Sequence, residues 1–382
     1  MFIFLFDILV YLFYRESRVK SNVTFHRNGT LSFEEPIYYY FEREKSIGPL
    51  SDTVTILDLV IAGISNQYSR CYGSYNCFTN SLTQKTLAGE IFNYHNRTIF
   101  KTYTVGDLLW GHRDDFLHSM SGLATMAGQD TPTTLGLFEG KNGTSSGLYT
   151  IFSGEGNMTA YQEIRSFRGL TEMNCWSTKY ANMMNGTVGH GFPPFLKPDD
   201  SLKIFAGDLC RSSELMYAET QMLNGVEVFV YKPPRWASYP YPKNPDQLGF
   251  CTPDETDCPP EGLLNETACI GQPILMGKPH FLHADVDLLN SFEGLSPHPE
   301  NHETFLYVEP LTGSIFKASK RLMFLFPYRE SELSKQGGIK LHPNMKDGTT
   351  AFPLFWVNET VCIFIISFII CIFLLYFLGH CA

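Results

Sequence analysis

Three groups of residues have types and spacings that chemistry could use. Gly143-Thr144-Ser145-Ser146-Gly147 fits the G-x-S-x-G turn, which presents a nucleophilic serine between a strand and a helix. Here the order of elements is wrong: a Lys-Asn-Gly turn precedes the run, the strand-like Leu148 to Phe152 follows it, and a glycosylation triplet overlaps it. His280 and His283 stand at i and i+3, a spacing that on a helix would let two imidazoles reach one metal ion. Pro279 precedes them and no nearby Glu or His completes an H-E-x-x-H pattern, so they read as two histidines beside a strand end. Asp114-Asp115 and Asp199-Asp200 are adjacent pairs, which points their carboxylates apart and suits solvated turns better than acid/base work. Gly-rich phosphate cradles are absent from the sequence. The chain therefore reads as a non-enzyme requiring no cofactor and no metal.

Binding is the remaining class of function, and composition narrows the partner. The 382 residues carry a formal net charge of -10 and no long Lys/Arg run, so the electrostatic footprint of a nucleic-acid binder is missing. With 44% hydrophobic and 18% charged residues the chain has ample material for a core. The 14% aromatic content favours pleated, strand-built faces.

The run from Val361 to Gly379 has Ser367 as its only markedly polar side chain and carries no charge. As a helix it would be about 28 Å long, close to the ~30 Å hydrocarbon core of a bilayer, and it is expected to span one. Only residues 380–382 follow it as a tail. No Lys or Arg lies near either end, so charge gives no orientation. Glycosylation triplets give it instead. Asn22, Asn28, Asn96, Asn142, Asn157, Asn185, Asn265 and Asn358 each open an Asn-x-Ser/Thr triplet, and all lie before the apolar run. Residues 15–360 are thus expected to form a glycosylated lumenal or extracellular ectodomain. Residues 1–14 are apolar apart from Asp7, too short to span, and lack a basic leader region; they read as a truncated anchor or a chance start ahead of a true strand.

Cys71, Cys77, Cys175, Cys210, Cys251, Cys258 and Cys269 fall in that ectodomain, an odd number that in an oxidising compartment implies disulfides and at least one free thiol. Cys381 stands at the membrane boundary, where S-acylation is chemically reasonable.

The elements that position these residues read mostly as strands. Val23 and Phe25, then Leu31 and Phe33, then Ile37, Tyr39 and Phe41 alternate about a turn at Arg27 to Gly29. Residues 57–120 change character: Val105, Leu108, Leu109 and His112 fall at helical spacing, with Thr104 and Asp107 as a cap. Strands resume at Leu148 to Phe152, Val226 to Tyr231, Thr304 to Val308 and Arg321 to Phe326. A helical insertion in a strand-dominated chain predicts an α+β barrel or sandwich with a helical cap at about 57–120.

Several strings in order resemble the class B scavenger receptor family over about residues 12 to 358. They include Leu108-Leu109-Trp110-Gly111-His112-Arg113-Asp114, Met184-Asn185-Gly186-Thr187, Phe192-Pro193-Pro194-Phe195, Cys210-Arg211-Ser212, Pro279-His280-Phe281-Leu282 and Glu309-Pro310-Leu311-Thr312-Gly313. The stretches His26 to Phe33 and Asn157 to Gly169 bring it nearest the lipoprotein-receptor branch. The resemblance implies a mainly antiparallel β-barrel with a helical bundle at its apex and an apolar tunnel toward the bilayer. It implies the bridges Cys210–Cys269 and Cys251–Cys258, with a third family bridge lost where Ala181 and Gly249 stand. It also implies a plasma-membrane receptor for lipids or lipoprotein particles, with the lysosomal membrane as the alternative location.

Against the family pattern, the N-terminal anchor and the stretch before the C-terminal helix are missing, and a lipid-binding apical lysine falls on Tyr94. Anionic particles need cations, and the apical candidates are Arg70, Lys85, Arg97 and Lys101. A second reading is a trafficking receptor for a lumenal cargo protein, with His95 and His112 releasing it in acid. A three-residue tail, too short for a dileucine sorting signal, argues against it. Adhesion or pattern recognition without lipid transfer is the third.

Overall fold

The computed structural model describes residues 12–60, 62–63, 100–126, 133–252, 254–255, 257–329 and 349–362. Along the chain, the first strands are β1 (Tyr14–Arg18), β2 (Ser21–Phe25), β3 (Thr30–Glu34), β4 (Ile37–Phe41), β5 (Thr53–Leu57) and β6 (Phe100–Thr104). Then come β7 (His112–Arg113), β8 (Thr134–Leu135), β9 (Leu148–Phe152), β10 (Ile164–Phe167), β11 (Leu202–Ala206) and β12 (Arg211–Leu223). The last are β13 (Val226–Lys232), β14 (Leu263–Asn265), β15 (Leu275–Gly277), β16 (Phe305–Glu309), β17 (Ser314–Arg329) and β18 (Thr349–Cys362).

Alternation in the N-terminal sequence becomes real pairing. β2 and β3 form a hairpin, and β3 then pairs with β9 in a four-stranded antiparallel sheet ordered β10-β9-β3-β2. The principal sheet has eight strands, ordered β11-β12-β13-β16-β17-β15-β14 with β18 added to β17. Its β12–β13 hairpin turns on Asn224 and Gly225 at φ +50° and +85°. Two consecutive left-handed residues match the strand twist, and Asn-Gly is the pair that adopts them at least cost. Pairs β1–β4, β5–β6 and β7–β8 stand beside these sheets.

β17 holds the large sheet together. Its first half pairs with β16, its second half with β15, and β18 runs antiparallel along nearly its whole length. Strands covered on both faces read as unbroken apolar runs, and Ala351-Phe352-Pro353-Leu354-Phe355-Trp356 in β18 is buried throughout. With Met323 and Leu325 of β17 and Phe281 beyond β15 it makes the largest core cluster. A second cluster gathers Phe33, Phe167, Trp176 and Phe205; a third gathers Phe192, Tyr231 and Val308.

Two expectations are corrected, the closed barrel and the helical place of His112, while the helical cap and the membrane span fall mostly on residues outside those described. The described strands do not close into one barrel: β11 and β14 end the large sheet without pairing to each other, so the architecture is a set of mainly antiparallel sheets with a few short helices. Within the interval 57–120, β5 ends at Leu57 and its partner β6 returns at Phe100; helices Val105–Trp110 and Asp115–Met126 follow, and residues 61 and 64–99 lie outside the described residues. Thr104 caps the first helix by accepting from the Asp107 N–H at 3.1 Å. Gly111 at φ +108° ends that helix, so His112 opens β7 instead of extending the apolar helical face. Val361 and Cys362, the expected start of the membrane span, are the last residues of β18, opposite Ala318 and Lys317. Residues 363–379 and the tail 380–382 lie outside the described residues, as do 1–11; no described helix is long and apolar enough to cross a membrane.

Candidate ligand cavity

Between the two larger sheets lies a cavity of about 890 Å³, within the ~300–1,000 Å³ range of ligand sites. Its apolar wall includes Phe33 of β3, Tyr149 of β9, Leu215 of β12, Leu306 of β16 and Leu322 of β17, so both sheets must be in place for the space to exist.

Charge is concentrated on one wall, around the largely buried Glu35. Its carboxylate lies 3.0 Å from His190 Nε2, 3.6 Å from Lys20 Nζ and 4.0 Å from Arg18 Nη1. Burial alone would raise the Glu35 pKa, but the His190 hydrogen bond and the charges of His190, Lys20 and Arg18 outweigh it and hold the carboxyl below its ordinary value. Arg18 also reaches Glu359 at 2.8 Å, and Lys320 meets the same carboxylate at 3.4 Å.

A second wall is braced covalently. Arg211 opens β12 beneath the rings of Trp176, at 5.3 Å, and Phe250, at 3.9 Å, and its Nε lies 3.0 Å from Glu266. Both charged groups are buried, and burial pushes Glu266 up to about 7 despite the nearby guanidinium. Cys210–Cys269 and Cys251–Cys258 are bridged as the family resemblance implied. Trp176 Nε1 donates to the Cys210 carbonyl at 2.7 Å, tying the indole to the first bridge. A β-carbon placed on Gly249 would fall 2.5 Å from that of Ala181, so the two positions of the lost third bridge face each other. Cys175 is a free thiol, and burial raises its pKa.

The structure distributes the sequence candidates unevenly. Lys101 is no free apical cation: it pairs with the buried Asp114 at 3.4 Å and lies 5.0 Å from the Tyr103 ring centre. Arg70, Lys85, Arg97, His95 and Tyr94 lie outside the described residues, as do Cys71, Cys77 and Cys381. His112 packs on Tyr103 at 4.8 Å. Ser145 spends its hydroxyl on the Glu35 and Gly147 main chain. His280 and His283 part company, His280 stacking on His302 at 4.3 Å and His283 meeting Glu303 at 3.0 Å.

Among the sequons, Asn22, Asn28, Asn142, Asn157 and Asn358 are exposed, Asn185 is half-buried on the cavity wall, and Asn96 lies outside the described residues. Asn265, the remaining expected site, differs from these in being buried. It is 5% exposed, its side-chain oxygen accepts from the Thr267 N–H, and its carbonyl accepts from Arg211. Glu35, His190, Lys278 and Arg321 were not singled out from sequence, because nothing local marks a charge that turns inward from a distant strand.

The site is thus a ligand-sized space lined by both antiparallel sheets, with one wall braced by disulfides. The CD36 family model matches residues 12–373, and the chain belongs to that family. It is 33% identical to lysosome membrane protein 2 of Homo sapiens over 91% of this chain and 68% of that protein. It is 29% identical to scavenger receptor class B member 1 of Mus musculus over 91% of this chain and 64% of that protein, and 30% identical to the Bos taurus protein. These relatives are membrane proteins of the class B scavenger receptor family, which is the class of protein this chain represents.

Proposed function

We propose that this chain is a receptor that binds lipids or lipoprotein particles and passes lipid to the membrane through its ectodomain cavity, without catalysing a reaction. The cavity carries this reading: its volume of about 890 Å³, lined in part by Phe33, Leu215, Leu306 and Leu322, offers apolar wall to an acyl chain. Each buried methylene would stabilise the bound lipid by about 0.8 kcal/mol. In this reading the apolar run beyond β18, residues 363–379, anchors the chain, residues 380–382 form the tail with Cys381 open to acylation, and the exposed sequons carry glycans. Particle docking falls to the apical cations Arg70, Lys85 and Arg97; Lys101 already serves Asp114.

The test is uptake of fluorescent cholesteryl ester from lipoprotein particles by cells displaying the chain, compared with Ala318→Trp, which places an indole on the cavity wall. Particle binding should persist while ester uptake falls severalfold. Equal uptake by both would remove the cavity from the path. The relative named for the lysosome favours a second reading, a trafficking receptor for a lumenal protein. Capture of a soluble lumenal enzyme at pH 7 and its release at pH 5, without lipid uptake, would select that reading.

A further inference from the structure

Apolar side chains exposed singly are ordinary on a protein surface, but several gathered at one place are not. Among the described residues, four gather at one end of the large sheet from four separate segments: Phe195, 70% exposed, Met222, 66%, Leu311, 61%, and Val361, 50%. Strand register sets them there. β13 runs antiparallel to β16 with Phe229 opposite Val308, so the Asn224-Gly225 tip of the β12–β13 hairpin and the 310–313 turn between β16 and β17 point the same way. Met222 lies opposite Glu227, two residues past Phe229 toward that tip. The Phe195 N–H donates to the Leu311 carbonyl at 3.2 Å and the Leu196 N–H to that of Pro310 at 2.8 Å, tying the Phe195 loop to the turn. Val361, opposite Ala318, brings β18 to the same end.

The group is held in place from beneath. Phe192 and Val308, three residues before Phe195 and Leu311, are buried together in the third core cluster. The Phe192 N–H donates to the Gly313 carbonyl at 3.0 Å. Gly313, at φ +73°, passes so close that a β-carbon on it would fall 2.0 Å from the Phe192 carbonyl oxygen. Phe195 itself takes φ +65°, a conformation costly for a bulky residue. Strain of this kind persists where the surroundings impose it, and here it holds an aromatic ring out from the fold.

The course of the chain says what covers this end. Cys362 pairs with Lys317, and β17 continues three residues past that pair to Ser314 before the turn, about 10 Å along the strand. The apolar run opening with Ile363-Phe364-Ile365-Ile366 follows Cys362 directly. A bilayer that takes up that run therefore begins close beside the exposed group. The neighbouring exposed charges are acidic: Glu227 opposite Met222, and Asp199-Asp200 shortly after Phe195. They favour a zwitterionic lipid surface over an anionic one.

We propose that Phe195, Met222 and Leu311 enter the interfacial layer of a zwitterionic phospholipid bilayer, a second membrane contact beside the anchor that fixes the tilt of the ectodomain. Apolar side chains at such a surface settle about 5–10 Å into the headgroup and acyl boundary. The proposal rests on the reading of residues 363–379 as the anchor and is independent of what the cavity binds.

The test is tryptophan quenching in the full chain reconstituted into phosphatidylcholine vesicles, with and without bromine on the upper acyl chains. Phe195→Trp and Leu311→Trp each add an indole at the contact. Val286→Trp adds one at a comparably exposed position, 63%, on the short helix Val286–Leu289, whose Leu288 belongs to the core cluster of Phe352, ten residues before Cys362 on β18. The emission gained over wild type at 195 and 311 should fall more than twofold in brominated lipid, and that gained at 286 should not change. An indole at either 195 or 311 that bromine leaves unquenched would overturn the contact; flotation of the chain with the vesicles reports the anchor separately and leaves it standing. Equal quenching at all three positions would lay the ectodomain on its side and overturn the end-on contact. Emission that shifts with the protein-to-lipid ratio and ignores bromine would assign the surface to a second copy of the chain and overturn it too. A chain that does not float with the vesicles would refute the anchor and the contact with it. Should one tryptophan variant fail to fold, the other decides.

Discussion

Restoring the missing bridge with Ala181→Cys and Gly249→Cys together should stabilise the wall that carries Trp176 and Arg211. The geometry sets the size of the effect. The facing β-carbons would start 2.5 Å apart, whereas a disulfide holds them at ~3.5–4.5 Å, so the backbone must open by about 1 Å or more. A β-carbon on Gly249 would also press on Thr178 Oγ1, 2.1 Å away. That hydroxyl caps the short helix Lys179–Asn182 by accepting from the Ala181 N–H at 3.3 Å. Closing a loop of roughly 70 residues contributes about 4 kcal/mol in the chain-entropy account. Loss of the cap costs about 1 kcal/mol. The net gain of about 3 kcal/mol should raise Tm by roughly 6 °C, at about 2 °C per kcal/mol for a chain of this size. The assay is differential scanning calorimetry of the double cysteine variant against Ala181→Ser/Gly249→Ser, with bridge formation established by mass after alkylation. Either cysteine alone should lower Tm. Failure of the bridge to form would refute the facing-pair geometry, and a bridge that forms quantitatively yet leaves Tm at or below that of the serine control would refute the stabilisation reasoned from it.

Glu266 should make the fold more stable in acid. Its folded pKa of about 7 exceeds the ordinary 4.5, so the folded state binds the proton more tightly; the stabilisation is fully present below about 4.5 and is lost as pH rises through 7. Urea midpoints measured from pH 8 to pH 5 should rise, and Glu266→Gln should flatten that part of the profile. Leu325→Ala, at a fully buried position shared by β15 and β18, should cost about 2–5 kcal/mol in chemical denaturation. Removing Asn28, exposed with its triplet's Thr30 bonded to its side-chain oxygen, should lower the glycosylated mass by one glycan; removing the buried Asn265 should leave that mass unchanged.

Much of the strand plan was legible because period-two alternation survives wherever one face of a strand is solvated. The segment Leu148–Phe152 appeared with its bounds intact, and the β2–β3–β4 series followed its Arg-Asn-Gly turn. His112 was misplaced because its spacing continues a helix that Gly111 ends. Barrel closure depends on which edges pair, and periodicity within a strand holds no information about its neighbour. The two bridges followed from family likeness and not from spacing. The charged cavity walls were not readable at all. The Glu35–His190 contact joins residues 155 apart, and Arg18 meets Glu359 across 341. Such pairs carry no local signal, and each member alone reads as ordinary surface charge.

The long β17–β18 ladder has a mechanical meaning. Its hydrogen bonds lie across the strand direction, from Lys317 opposite Cys362 to Arg329 opposite Thr349. A pull on Cys362 along the strand axis would load the whole ladder in shear, so many bonds would have to yield together. The same pull directed sideways would open it one pair at a time from Lys317. Resistance to force then depends on the direction of the tether more than on the number of bonds, and a tilt at that end could convert a rigid attachment into a compliant one.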